Sequence, residues 1–224
     1  MTSFTRRNLL TTATTIVLAG TSAAAVGGGS ALAHQELQLA AATQVPAKVA
    51  ETKAALRDLW LGHIFWVRGV VLATFAKNAA AAAAAEQATV ANAKEIAGAI
   101  VPFYGQAASD DLFALLAGHY GAVKEYLDAT VKNDSSAGAE ATDHLTANAE
   151  KIAVFLSGAN PNLPQDALQE LLLAHGGHHL EQIQEVQAGQ FEKEAATWSA
   201  MKGHIYVIAD ALGDALAKQF PEQF

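Results

Sequence analysis

LRDLWLGH (56–63), LFALLAGH (112–119) and LQELLLAH (168–175) are one pattern written three times, each copy 56 residues after the last. Every copy ends in a histidine, His63, His119 and His175, with leucines four and seven residues before it. On an α-helix those spacings share one face, so Leu56 and Leu59, Leu112 and Leu115, and Leu168 and Leu171 are expected to be buried together with their histidine. The same 56-residue slide aligns a second set, ANAKEIAGAI (91–100), ANAEKIAVFL (147–156) and GHIYVIADAL (203–212). There Ile96, Ile152 and Ile208 match, and Asn92 and Asn148 are answered by His204. Two helices per unit predict three tandem helical hairpins, an all-α, up-and-down bundle of about six helices.

The rest of the chain agrees. Stretches rich in Ala, Leu, Glu, Lys and Gln contain no period-2 strand pattern. Helices are expected near 46–78, 80–101, 110–133, 138–157, 164–188 and 191–219. Pro46 and Pro164 suit first turns, Ser109 suits a cap before Asp110-Asp111, and Pro102 and Pro221 stop what precedes them. PFYGQAAS, KNDSSAG and SGANPNLP carry turn residues and read as connections, whereas the Ala79–Ala85 run reads as a helix start.

Residues 1–33 read as a targeting segment. Arg6-Arg7, a mild apolar stretch from Leu9 to Val26 and Ala31-Leu32-Ala33 make a twin-arginine-type signal peptide, with an ordinary secretory signal as the alternative. The expected mature chain starts at His34, with 34–45 a flexible N-terminus and 46–224 the bundle domain; its destination is the periplasm or the exterior. Removing 33 of 224 residues leaves enough chain for one domain with a real core. The net charge of −8 becomes more negative when both signal arginines leave, so neither nucleic acid nor an anionic membrane surface is an expected partner. The absence of cysteine removes disulfides, thiolate metal sites and lipid anchoring through a thiol. Leu59 to Phe75 is apolar, but His63 and Arg68 interrupt it, and a buried helix is expected in place of an integral membrane span.

Chemistry concentrates in the histidines. An imidazole on a stripe of Leu, Trp and Ala needs partners for its ring nitrogens and finds few in the sequence. Two readings stay open. In one, duplication copied a structural histidine, and each holds its own hairpin together. In the other, the hairpins close around an axis and the imidazoles converge as ligands of a transition metal, Zn, Cu or Fe. Stacking as an open solenoid would forbid a shared ion. HGGHHLEQ adds His179 one turn after His175, a chelating spacing, with His178 beside it. Gly176-Gly177 inside that helix marks a close approach or a local break. His204 is a further candidate ligand, with Asp210 as a possible partner; His144, Glu125 and Glu181 read as surface. The Glu-x-x-His pairs of ferritin-like di-iron sites are missing, as are phosphate loops, nucleophile elbows and zinc-protease signatures.

LWLGHIFWVR, IVPFYG, LLAGHY, NAEKIAVFLSGANPNLP and KQFPEQF together resemble an uncharacterised bacterial family of exported helical proteins. Its pattern is LW-x-x-H-x-x-W-x-R, then N-A-x-x-I-A, then Q-F-P. Some members are labelled glycosyltransferase or acetylglutamate kinase, activities for which this chain has no motif. The resemblance carries over Trp60, His63, Trp66, Arg68, His119, His175 and Asp210, and makes Trp60, Trp66 and Arg68 candidate cofactor contacts. Gly62 stands where the family often has an acid, which weakens any role for a carboxylate beside His63. The expectation is an exported bundle that binds a transition metal or metal cofactor through core histidines. The alternatives are a cofactor-free structural or interaction module of the cell envelope, and a small-molecule enzyme with His63 or His175 as general base and Arg68 as anion clamp.

Overall fold

The computed structural model describes residues 46–224; residues 1–33, expected to be a signal peptide, and the expected flexible segment 34–45 lie outside the described residues. Six long helices account for nearly all of it: α1 (Ala47–Phe75), α2 (Ala79–Gly98), α3 (Val101–Lys132), α4 (Ser135–Ala159), α5 (Gln165–Gln187) and α6 (Phe191–Gln219). A 3-10 turn, Pro221–Gln223, follows α6, and no strand occurs among the described residues. Local chemistry sets the ends. Pro46 and Pro164 precede the first turns of α1 and α5. Asn78 accepts from the Ala81 N–H, starting α2 on the alanine run, and Asp134 accepts from the N–H groups of Ser136 and Ala137 at the start of α4. Asn133 closes α3 in the left-handed conformation.

One boundary departs from the sequence reading. PFYGQAAS is a kink inside a helix: α3 begins at Val101 and breaks only at Gly105, whose φ of 83° suits glycine. The helix therefore starts well before Ser109, which is buried in its interior and caps nothing.

The short connections pair α1 with α2, α3 with α4 and α5 with α6. Between pairs, α2 meets α3, α4 meets α5, and α6 returns to α1, so the bundle closes on itself. In its middle α1, α3 and α5 touch one another. Those three helices carry the repeated histidines, so closure brings the three histidine faces together, as an open solenoid would not.

The buried stripe lies slightly to one side of the expected one. The leucine seven residues before each histidine is buried, as are Trp60, Leu116 and Leu172, three residues before it; Leu59, Leu115 and Leu171 are only partly buried. A step of seven lands about 20° from the histidine on the wheel, and steps of three and four land on opposite sides of it. The core lies toward the three-step side. On the other side, the second helix of each hairpin reaches the backbone. Asn92 donates to the Leu59 carbonyl at 3.0 Å, Asn148 to the Leu115 carbonyl at 3.0 Å, and Nε2 of His204 lies 2.8 Å from the Leu171 carbonyl. All three bonds span 33 residues. A methyl group on Gly62 or Gly118 would come within 2.9 Å of the Asn92 or Asn148 amide, which explains glycine before the first two histidines. Where His204 replaces the asparagine, Ala174 replaces the glycine.

Candidate metal centre

The apolar core is divided. One cluster contains Leu56, Trp60, Leu112, Leu116, Leu168 and Leu172; the other contains Val67, Val71, Val123, Leu127, Ile183 and Val186. Along α1, α3 and α5, His63, His119 and the pair His175 and His179 fall between the residues of these clusters. Each imidazole is at most 4 % exposed. One possible ligand atom from each of the four lies within 4.8 Å of the others, and no acid belongs to the group. The ring centroids are 4.6 to 6.1 Å apart, with His175 and His179, one turn apart on α5, the nearest pair.

Seven ring nitrogens in this layer have no hydrogen-bond partner: Nε2 of His63 and both nitrogens of His119, His175 and His179. A buried polar atom left unpaired costs about 1–3 kcal/mol, so the arrangement is expensive as it stands. Burial also keeps the rings neutral. It pushes His63 down to about 3 and His119 to about 4, and holds His175 and His179 well below the ordinary imidazole range, with neighbouring histidines adding to the effect on His63, His175 and His179. A neutral imidazole presents a lone pair, the form a metal requires.

Around this layer stand further polar groups. Trp60 meets His63 edge to face, with centroids 6.2 Å apart, and its indole N–H has no partner. Gln182, fully buried, lies three residues after His179 and seven after His175, on the same face. Its amide donates to Glu194 at 2.8 Å, and Oε1 remains free. Glu194 in turn accepts two bonds from Arg68, at 2.5 and 2.7 Å, which hold its carboxyl below the usual range although burial opposes this. Seen from the sequence, Gln182 is signalled only by its spacing from the histidines; nothing signals Glu194, which meets Arg68 across the seam between α6 and α1.

Other candidates stand apart from the histidine layer. His204 is engaged with the Leu171 carbonyl, and its ring lies 5.6 Å from that of His178. Arg68 is taken up by Glu194 and stacks over Trp198, while Trp66 is 38 % exposed against Phe65. Asp210 pairs with Arg57. His144 and Glu125 pair on the surface, and Glu181 is exposed near His178. The helix runs unbroken through Gly176-Gly177: Gly176 gives room to Leu145, and Gly177 faces open space.

No protein-family model matches this chain, and neither a curated protein nor a solved structure is similar to it at a significant level.

Proposed function

We propose that the protein binds one transition-metal ion, Zn, Cu or Fe, through His63, His119, His175 and His179. The observation that carries this reading is the set of unpartnered ring nitrogens on four neutral imidazoles gathered inside an apolar core. An ion takes one lone pair from each ring. At metal–nitrogen distances of about 2.0–2.1 Å a tetrahedral site holds its nitrogens roughly 3.4 Å apart, so nitrogens already within 4.8 Å of one another would have to draw in only modestly. Four nitrogen donors without a carboxylate suit borderline metals and not magnesium or calcium. The free Gln182 oxygen is an acceptor on the right face to orient a ligand's second N–H. A cofactor-free envelope module would need another partner for each of these nitrogens.

The 56-residue pattern, on this reading, records three tandem hairpins of common origin, each contributing its inward histidine, with His179 completing the set. The N-terminal signal supports export by the twin-arginine route, which carries folded proteins and so admits a metal inserted before export. Replacing Arg6-Arg7 with Lys-Lys should hold the precursor in the cytoplasm; unimpaired export would assign it to the ordinary secretory route.

Metal content and calorimetric titration of the mature chain test the binding. One ion per chain is expected, with binding abolished in each of His63→Ala, His119→Ala, His175→Ala and His179→Ala and retained in His204→Asn. A folded wild-type protein that takes no ion at micromolar concentration overturns the proposal.

A further inference from the structure

A cleft of about 430 Å³ opens between α2 and α3, and its inner wall includes His63. Its floor is apolar, formed by residues such as Ala93, Ile96 and Leu116; its mouth carries Glu86, Glu125, Asp128 and Lys124, three acids to one base. In the wall, Nε2 of His63, on a residue 4 % exposed, lacks a partner, and the hydroxyl of Tyr120, on a residue 9 % exposed, has the Glu86 carboxylate as its neighbour. Asp128 is bonded to Lys124 and Glu125 to His144, so Glu86 is the mouth carboxylate with no cation paired to it among the described residues, and its charge adds to burial in pushing the Tyr120 hydroxyl up.

The equivalent seams differ at the positions that line this one. Thr89 lines the cleft; 56 residues on stands Leu145, and a further 56 on stands Met201. Opposite Thr89, Tyr120 is likewise answered by Gly176, and Leu145 fills the space that this glycine leaves, reaching within 3.1 Å of where a methyl group would stand. Met201 is fully buried in the core. The α4–α5 seam is thus plugged by a large apolar side chain, where the α2–α3 seam has a threonine whose hydroxyl is tied back to the Ala85 carbonyl. The two seams differ at two facing register positions, Thr89 with Tyr120 in one and Leu145 with Gly176 in the other.

We infer that the α2–α3 cleft is the route by which the metal ion reaches the four histidines, with Glu86 drawing the cation in and the Tyr120 hydroxyl serving as a stepping contact before His63. This rests on the metal-binding reading. A buried site needs an entry path, and a mouth of net negative charge raises the local concentration of cations and their rate of arrival. The chemistry selects a bare or partly hydrated divalent cation over an anionic chelate.

Stopped-flow exchange of Zn²⁺ with the full mature protein, followed with a fluorescent zinc chelator, separates route from site. Thr89→Leu, which puts the plugging side chain beside Tyr120, and Val90→Trp, placed at the exposed rim, should each slow both uptake and release at least tenfold and leave Kd within about twofold. Glu86→Gln should slow uptake severalfold at low salt, a difference that vanishes as salt is raised. Wild-type binding with unchanged exchange rates in both folded plug variants would overturn the route alone. Absence of zinc binding in wild type would overturn the metal reading together with it.

Discussion

Two sets of buried or half-buried polar side chains repeat through this bundle, and they solve the same problem in opposite ways. Asn92, Asn148 and His204 each find a backbone carbonyl on the neighbouring helix, and two of the three are given room by a glycine. His63, His119 and His175, with His179, lie deeper and are left with seven orphaned nitrogens. Both sets occupy fixed register positions and both face neighbouring helices. The first set explains itself as structure, since each member donates to a carbonyl and so fixes how two helices dock, although Oδ1 of Asn92 and Asn148 is left without a partner. The second is a standing cost within the protein and points to an ion that would take up one nitrogen of each ring. His204 and His175, both histidines of the last hairpin, fall on opposite sides of this division.

Acid gives the largest expected effect. The four central imidazoles stay neutral in the folded protein, His63 down to about 3 and His119 to about 4, whereas unfolded histidines take protons near 6.5. The unfolded state therefore binds more protons as pH falls below 6.5, and stability falls with it. Four such groups lower stability by roughly 5 kcal/mol per pH unit, enough to unfold a domain of ordinary stability within about two units. Metal-free protein followed by circular dichroism should unfold between about pH 4 and 6, and replacing all four histidines with leucine should flatten that dependence. A pH-independent wild type between 7 and 4 would mean that the folded rings reach solvent and take protons as unfolded ones do.

Apolar replacement sharpens the contrast by reversing sign. Without metal, His119→Leu removes two orphaned nitrogens and should raise stability by about 1–3 kcal/mol in urea unfolding, while abolishing any gain on adding metal. Asn148→Leu removes the bond to the Leu115 carbonyl, along with one unpartnered oxygen, and should lower stability by about 1 kcal/mol or less. Equal losses for both would erase the distinction between the two sets. The smallest expected effect lies at the glycine: Gly118→Ala should cost about 1 kcal/mol by displacing the Asn148 amide. Adding Asn148→His should recover most of that loss, because Ala174 and His204 already coexist in the third hairpin. Thermal melts of the single and double variants measure the coupling.

The fold was legible because a repeated helical face constrains the chain at every level at once. Spacing alone gave the histidines a face, and the structure moves that face only slightly, from Leu59, Leu115 and Leu171 toward Trp60, Leu116 and Leu172. Convergence was not legible, for periodicity within a helix says nothing about whether α6 returns to α1. Pro102 and Gly105 look like a connection, but Pro102 sits in a first turn and Gly105 only bends the helix, so α3 starts earlier than expected and buries Ser109. The alignment of His204 with Asn92 and Asn148 already carries its bonding role, since an amide and an imidazole N–H can serve the same carbonyl. The opening at Thr89 depends on a difference between copies, a signal that matching the copies to one another hides.

Cobalt substitution tests the central claim most directly, because its visible spectrum reports both coordination and ligand type. Titrating metal-free mature protein with Co²⁺ should produce, at one equivalent, the intense absorption of a four-coordinate ion with nitrogen ligands, and Zn²⁺ should bleach it. Loss of the band in each of His63→Ala, His119→Ala, His175→Ala and His179→Ala, with full intensity in His204→Asn, is the predicted result. A spectrum of fully hydrated octahedral cobalt throughout, or a band that disappears with His178 or His204 and survives loss of His63, would contradict the account.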